Sequence, residues 1–201
     1  MKTILFVNAC PRGRQSRTLR LAETFLARLS ALTPGVRVIR QDLPALGLAP
    51  VDAERLEEKE RLCDAKAWDA PMFSSAVSFQ QADAVVIAAP YWDLSFPAIL
   101  KIWVENMYVR NLTFRYENDR AIGLCLGRAA VYITTSGSPI GQHDWGAQYM
   151  RAVLQTLGIP AFSRISAEAL DLDSSDVDAI LCAAEENACR EAERLAAQLV
   201  D

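Results

Sequence analysis

Short apolar runs alternate with longer segments of helical period along the whole chain. That alternation narrows the available folds more than any other feature, because it is the pattern of an α/β protein with a mostly parallel sheet. Residues 3–9 (TILFVNA) are apolar up to Asn8, and residues 84–90 (AVVIAAP) form the most strand-like segment, as expected of strands covered on both faces. Further strands are expected at 36–40, 129–135 and 159–165. Between them, residues 19–32 place Leu19, Ala22, Phe25, Leu26, Leu29 and Leu32 on one stripe, predicting a helix that stops before Pro34-Gly35. The pattern also predicts a solvated charged helix over 52–66, a short helix over 71–81, an apolar one after Pro97 through 109, one over 143–157 and a long Ala-rich one over 173–200. Five strands interleaved in this way predict a doubly wound five-stranded parallel sheet with helices on both faces. No linker or repeat divides it, so residues 1–201 are expected to form one domain.

The balance of 21 Lys+Arg against 25 Asp+Glu gives a net charge of −4, with no block of like charge, so no nucleic-acid partner is expected. The opening apolar run is too short for a spanning helix or a signal segment, and the expectation is a cytoplasmic protein with no membrane partner. Five cysteines, an odd number without any C-x-x-C pair, predict free thiols. The single histidine, His143, has no cysteine near it, so no metal site is expected. The helix after Pro97 is apolar on more than one face. A single sheet covers only one, which leaves Leu100, Val104 or Tyr108 for a second subunit and predicts a homodimer.

Doubly wound sheets bind ligands beyond the carboxyl ends of their strands, at the point where strand order reverses. Three loops fall there. The first, CPRGRQSRT, crowds Arg12, Arg14, Ser16, Arg17 and Thr18 against a helix N-terminus, where unpaired N–H groups and the dipole favour an anion. Gly13 stands alone, without the glycine pattern of a pyrophosphate cradle or of a Walker loop, so the geometry suits a terminal monophosphate. The simpler reading is an N-cap serine with solvated arginines. The second loop, PYWDLSFP, puts Tyr91 and Trp92 at a strand mouth, as the wall of a flat ligand or as a hydrophobic plug. The third, ITTSGSPIG, offers Gly137 for close backbone approach among small hydroxyls. A phosphate at one end and a planar ring at the other describe a flavin mononucleotide.

The segments NACPRGRQSRTLRLAE, AAPYWDLSFPAILKIWVEN, LTFRY and ITTSGSP resemble the flavodoxin-like NAD(P)H-dependent oxidoreductases, the group of FMN-dependent NADH-azoreductases and NAD(P)H:quinone reductases. The likeness covers about three quarters of the chain. It implies an FMN phosphate at Ser16, Arg17 and Thr18, in the loop where the residue pattern itself adds Arg12, with Cys10 at the strand end beneath the ribityl chain. It assigns Pro90, Tyr91, Trp92, Asp93 and Leu94 to the isoalloxazine, and Thr135, Ser136, Gly137 and Ser138 to the pyrimidine edge. It further implies NADH or NADPH as co-substrate, a small-molecule acceptor, a dimer with active sites at the subunit boundary, and a substrate pocket made by Trp92 with Phe114 and Tyr116 reaching across. Trp92-Asp93 stands where azoreductases commonly have Asn after the aromatic, and Gly137-Ser138 where two glycines are usual. The likeness therefore implies flavin binding and not azo-dye reduction in particular.

No His/Asp/Ser set is needed, since a flavin performs the hydride chemistry itself. Two rival chemistries stand beside this one. A cysteine phosphatase or arsenate reductase would use Cys10, but its phosphate-clamping arginine would fall at position 16, which is Ser16, and Pro11 removes an N–H from the loop. A flavodoxin-type electron carrier would be more acidic and offer fewer pocket aromatics.

Overall fold

The computed structural model describes residues 1–200. In chain order the elements are β1 (Thr3–Asn8), α1 (Arg17–Leu32), β2 (Arg37–Asp42), α2 (Ala53–Asp64), α3 (Ser74–Gln81), β3 (Ala84–Ala88), α4 (Ala98–Met107), β4 (Phe114–Glu117), β5 (Arg120–Gly123), β6 (Ala129–Thr135), α5 (Trp145–Thr156), β7 (Ala161–Ala167) and α6 (Val177–Val200). Five strands make a parallel sheet in the order β2-β1-β3-β6-β7, the doubly wound order in which the chain starts centrally and winds to both edges. Registers such as Asn8 opposite Ala88, and Ala88 opposite Ile133, align the carboxyl ends of β1, β3 and β6 on one side of the molecule.

Alternation along β1 divides the core into two layers. Ile4 and Phe6 face α1 and α6, where Leu21, Phe25, Leu29, Ala188 and Ala192 are fully buried. Leu5 and Val7 face the opposite layer with Phe79, Trp103 and Met150. Helix α1 starts two residues earlier than its apolar stripe suggests. Ser16 takes the N-cap with extended backbone, and its hydroxyl accepts from Leu19 N at 3.2 Å, so the orphan donors of the first turn lie at the strand mouth.

Helix α4 corrects the expectation of a bare second face. Leu100 is 0% exposed and Val104 2% within this one chain. The cover comes from α3 and from the turn after β2. Phe79 meets Trp103 edge-on at 5.3 Å, the Trp103 indole N–H donates to Gln41 Oε1 at 2.7 Å, and Asn106 donates to the Ala49 carbonyl. The charged and Pro/Leu-rich stretch between β2 and β3 thus folds back as a lid on α4. Of the three residues expected at an interface only Tyr108 remains half-exposed, beside Ile99 and Ile102.

The antiparallel hairpin β4–β5 was not expected from the sequence. Its strands have four residues each and are mostly exposed, so the sheet period carries little signal. The turn does carry one: Asn118 and Asp119 have φ of 49° and 60°, the two left-handed positions of a tight hairpin turn. The chain leaving the hairpin is tied to the amino-terminal end of the sheet. Leu126 N donates to the Gln80 carbonyl ahead of β3, and Cys125 N to the Leu157 carbonyl ahead of β7.

Candidate active site

A cavity of about 420 Å³ opens at the carboxyl ends of β1, β3 and β6, at the strand-order reversal. That volume is in the range of cofactor sites. Its walls bring together the three loops singled out in the sequence. Arg12, Ser16, Arg17 and Thr18 come from the first; Pro90, Tyr91 and Trp92 from the second; Thr135, Ser136 and Gly137 from the third. Each is positioned by backbone bonds that prolong the sheet. Ala9 N donates to the Ala88 carbonyl, Ala89 N to Ile133, Tyr91 N to Thr135, and Ser136 N to Ala167. A buried hydroxyl pair, Thr18 Oγ1 with Thr135 Oγ1 at 2.7 Å, joins the first loop to the third beneath the cavity.

The first loop is a single 3-10 turn over Gly13–Gln15, entered through Gly13 at φ 51° and closed by Ser16 N donating to the Gly13 carbonyl. It delivers Ser16, 7% exposed, to the cavity floor and leaves Arg17 at the rim. The second loop turns sharply, with reciprocal backbone bonds between Trp92 and Ser95. Asp93 and Leu94 fill its corners at φ 49° and 66°, a left-handed conformation that costs a leucine about 1–2 kcal/mol. The turn thrusts Trp92 to 41% exposure and Leu94 to 65%. Asp93, Leu94 and Ser138 stand outside the cavity wall, Ser138 offering its carbonyl to the Ser136 hydroxyl at 2.6 Å.

Cys10 also stays out of the cavity. It is 1% exposed, its thiol donates to the Ala88 carbonyl at 3.6 Å, and its N–H donates to Asn8 Oδ1. Burial pushes the thiol up to about 11; the hydrogen bond with Ser16 opposes this and the Asp42 charge adds to it. A thiol held protonated and away from solvent is no nucleophile, which removes the phosphatase chemistry. Iodoacetamide at pH 8 is therefore expected to modify exposed Cys182 in the folded protein and to spare Cys10, as read by peptide mass spectrometry. The sign for stability follows from the same shift. The contribution of neutral Cys10 is complete below pH 9 and is lost as pH rises from 9 towards 11.

Phe114 and Tyr116 lie on the hairpin, stacked edge-on at 5.6 Å, at the end of the sheet opposite their own chain's cavity. Four wall residues were missed in the sequence: Pro11 and Gln15 in the first loop, and Leu170 and Asp171 on the loop after β7. The rule of carboxyl-end loops applies to β7 as well and would have found the latter two. Among the described residues no group of His, Cys, Asp or Glu could hold a metal ion, and no helix is long and apolar enough to cross a membrane.

A 2-1-3 doubly wound sheet with a hydroxyl- and arginine-bearing pocket at its switch point defines an α/β protein of the mononucleotide-binding class. A family model described as "Flavodoxin-like fold" matches residues 2–191, and the chain belongs to that family. It is 35% identical to FMN-dependent NADH:quinone oxidoreductase 2 of Clostridium acetobutylicum, over 90% of this chain and 93% of that one. With the FMN-dependent NADH:quinone oxidoreductase of Caldicellulosiruptor saccharolyticus it shares 31% identity over 98% of each. Among solved structures, an azoreductase from Bacillus anthracis superposes with a TM-score of 0.86 at 22% identity, covering 96% of this chain and 100% of that one, a likeness of fold.

Proposed function

We propose that this protein is an FMN-dependent NAD(P)H oxidoreductase that passes two electrons from a reduced nicotinamide to a quinone-like acceptor. The observation that carries the reading is the single cavity in which the first-loop hydroxyls and arginines, the Tyr91-Trp92 turn and the Gly137 turn meet. The relatives named FMN-dependent NADH:quinone oxidoreductases support it at 35% and 31% identity over nearly the whole chain, and they favour an enzyme over an electron carrier.

The donor set fits FMN. Ser16, Thr18 and the free N–H groups of the first α1 turn are hydroxyl and amide donors at a helix N-terminus, the chemistry of a terminal phosphate. Arg17 adds a charge-assisted donor. Pro90, Tyr91 and Trp92 supply a flat apolar wall, and the Thr135–Gly137 segment supplies a polar one; the room left by the missing side chain at Gly137 is taken by Asp171 and not by the ligand, contrary to the close approach expected there. Bound FMN supplies the hydride chemistry. The residues here bind, orient and shield it. Cys10 is packed beneath the loops, Asp93 and Leu94 form the corners of the Trp92 turn, and Ser138 anchors the Ser136 hydroxyl.

The exposed Trp92 ring offers a stacking surface for nicotinamide or quinone. In a homodimer, Phe114 and Tyr116 of the partner subunit would complete the pocket, since their own cavity lies at the other end of the sheet. We read residues 1–201 as one such unit, and the five free thiols suit a reducing cytoplasm.

The purified protein is expected to bind FMN, to turn yellow, and to consume NADH catalytically when a quinone is added. FAD should bind at least about tenfold more weakly, because the phosphate end closes on a helix N-terminus with no glycine-rich path for a pyrophosphate. Equal affinity for FMN and FAD in a fluorescence titration rejects the phosphate assignment, and a protein that takes up no flavin rejects the function.

A further inference from the structure

Arg17 does not point freely into solvent. One of its guanidinium nitrogens, Nη1, donates to Asp171 Oδ1 at 2.8 Å and to the Leu170 carbonyl at 3.2 Å. Asp171 is held in turn from two directions. Its N–H donates to the Gly137 carbonyl at 2.9 Å, and its other carboxylate oxygen lies where a side chain at residue 137 would begin, 2.3 Å from the place of a Cβ. The loop that carries it is fixed by a left-handed Ala169, φ 63°, whose carbonyl accepts from Ser175 Oγ at 2.6 Å. One residue, through its carboxylate and its N–H, thus links the α1 start, the Gly137 turn and the loop after β7, and all three line the same cavity.

From this geometry, and resting on the flavin reading above, we infer that Asp171 is a positioning residue that aims Arg17 at the ligand's phosphate. The side chains are 43% and 70% exposed, so as an ion pair they add little to stability. Holding a long, rotamer-rich arginine at one nitrogen has a different value. It removes in advance the entropy that the side chain would lose on gripping an anion, and it leaves the remaining N–H groups to donate. Asp171 also explains the glycine at 137, since any side chain there would displace the carboxylate and release Arg17.

The test is a double-mutant cycle with FMN and riboflavin, which differ only in the phosphate, read by flavin fluorescence. Asp171→Ala is expected to weaken FMN by about five- to tenfold and to leave riboflavin within about twofold. Asp171→Asn, which keeps an acceptor oxygen, should recover part of the loss. In the Arg17→Ala background, Asp171→Ala should have no further effect. An unchanged ratio of FMN to riboflavin affinity, equal loss of both flavins, tighter FMN binding in Asp171→Ala, or additive losses would each overturn the inference while the wild type still binds FMN. A wild type that binds neither flavin overturns the flavin reading and this inference together. Thermal melting confirms that each variant is folded.

Discussion

Val104→Glu is expected to abolish cooperative folding, not merely to separate subunits. Val104 is 2% exposed in the single chain, packed with Leu100, Trp103 and Met107 in the layer under α3 and α4. A carboxylate placed there enters a layer of buried apolar side chains and must either ionise in that interior or stay protonated and unsatisfied. Either state costs about 3–5 kcal/mol, of the order of the whole stability of many domains. Circular dichroism should show loss of the native melting transition at neutral pH. A Val104→Glu protein that melts like the wild type would contradict the placement of α4. The outer face of the helix is where a subunit contact can be tested. Ile102 is half-exposed and packs on no core cluster, so Ile102→Glu should keep the fold and lower the dimer fraction in sedimentation if α4 borders the partner subunit.

The contrast between Val104 and Ile102 marks what the sequence could and could not convey. Periodicity revealed that α4 is apolar all round, but it cannot say what covers each face. The covering pieces, Phe79 and the Leu43–Ala45 turn, come from a short helix and a connection whose apolar residues are too few and too irregular to show which surface they pack on. The parallel strands were legible because burial on both faces leaves continuous apolar runs in β1, β3 and β6. The exposed hairpin β4–β5 had no such run, only the Asn118-Asp119 turn. At the site the same division holds. Ser16, Thr18, Trp92 and Gly137 were legible because helix caps, exposed aromatics and glycine turns are local chemistry. The loop that carries Asp171 was within reach of the strand-end rule, but the pairing of Asp171 with Arg17 was not, because the two stand 154 positions apart in sequence. Cys10 shows the reverse: a cysteine before an arginine-bearing loop reads as reactive until its burial is known.

Arg17→Ala is expected to weaken FMN binding by about 1.5–3 kcal/mol, roughly 10- to 150-fold, the range for losing a charge-assisted bond to a phosphate at a partly shielded site. Riboflavin affinity should hardly change, because Ser16, Thr18, Tyr91, Trp92 and the Gly137 turn remain in place around the same cavity. The fold should tolerate the change. Arg17 is the first residue of α1, the Ser16 cap does not depend on its side chain, and the pair it forms with Asp171 is solvent-exposed. Arg17→Lys separates charge from geometry. Lysine keeps the positive charge but cannot hold Leu170 and Asp171 while presenting further planar N–H groups, so it should restore only part of the FMN affinity. Raising the salt concentration should narrow the gap between wild type and Arg17→Ala for FMN and leave riboflavin unaffected. If Arg17→Ala instead weakens both flavins by the same factor, the arginine serves the loop and not the phosphate. The anion would then be left to the hydroxyls and the α1 N–H groups alone.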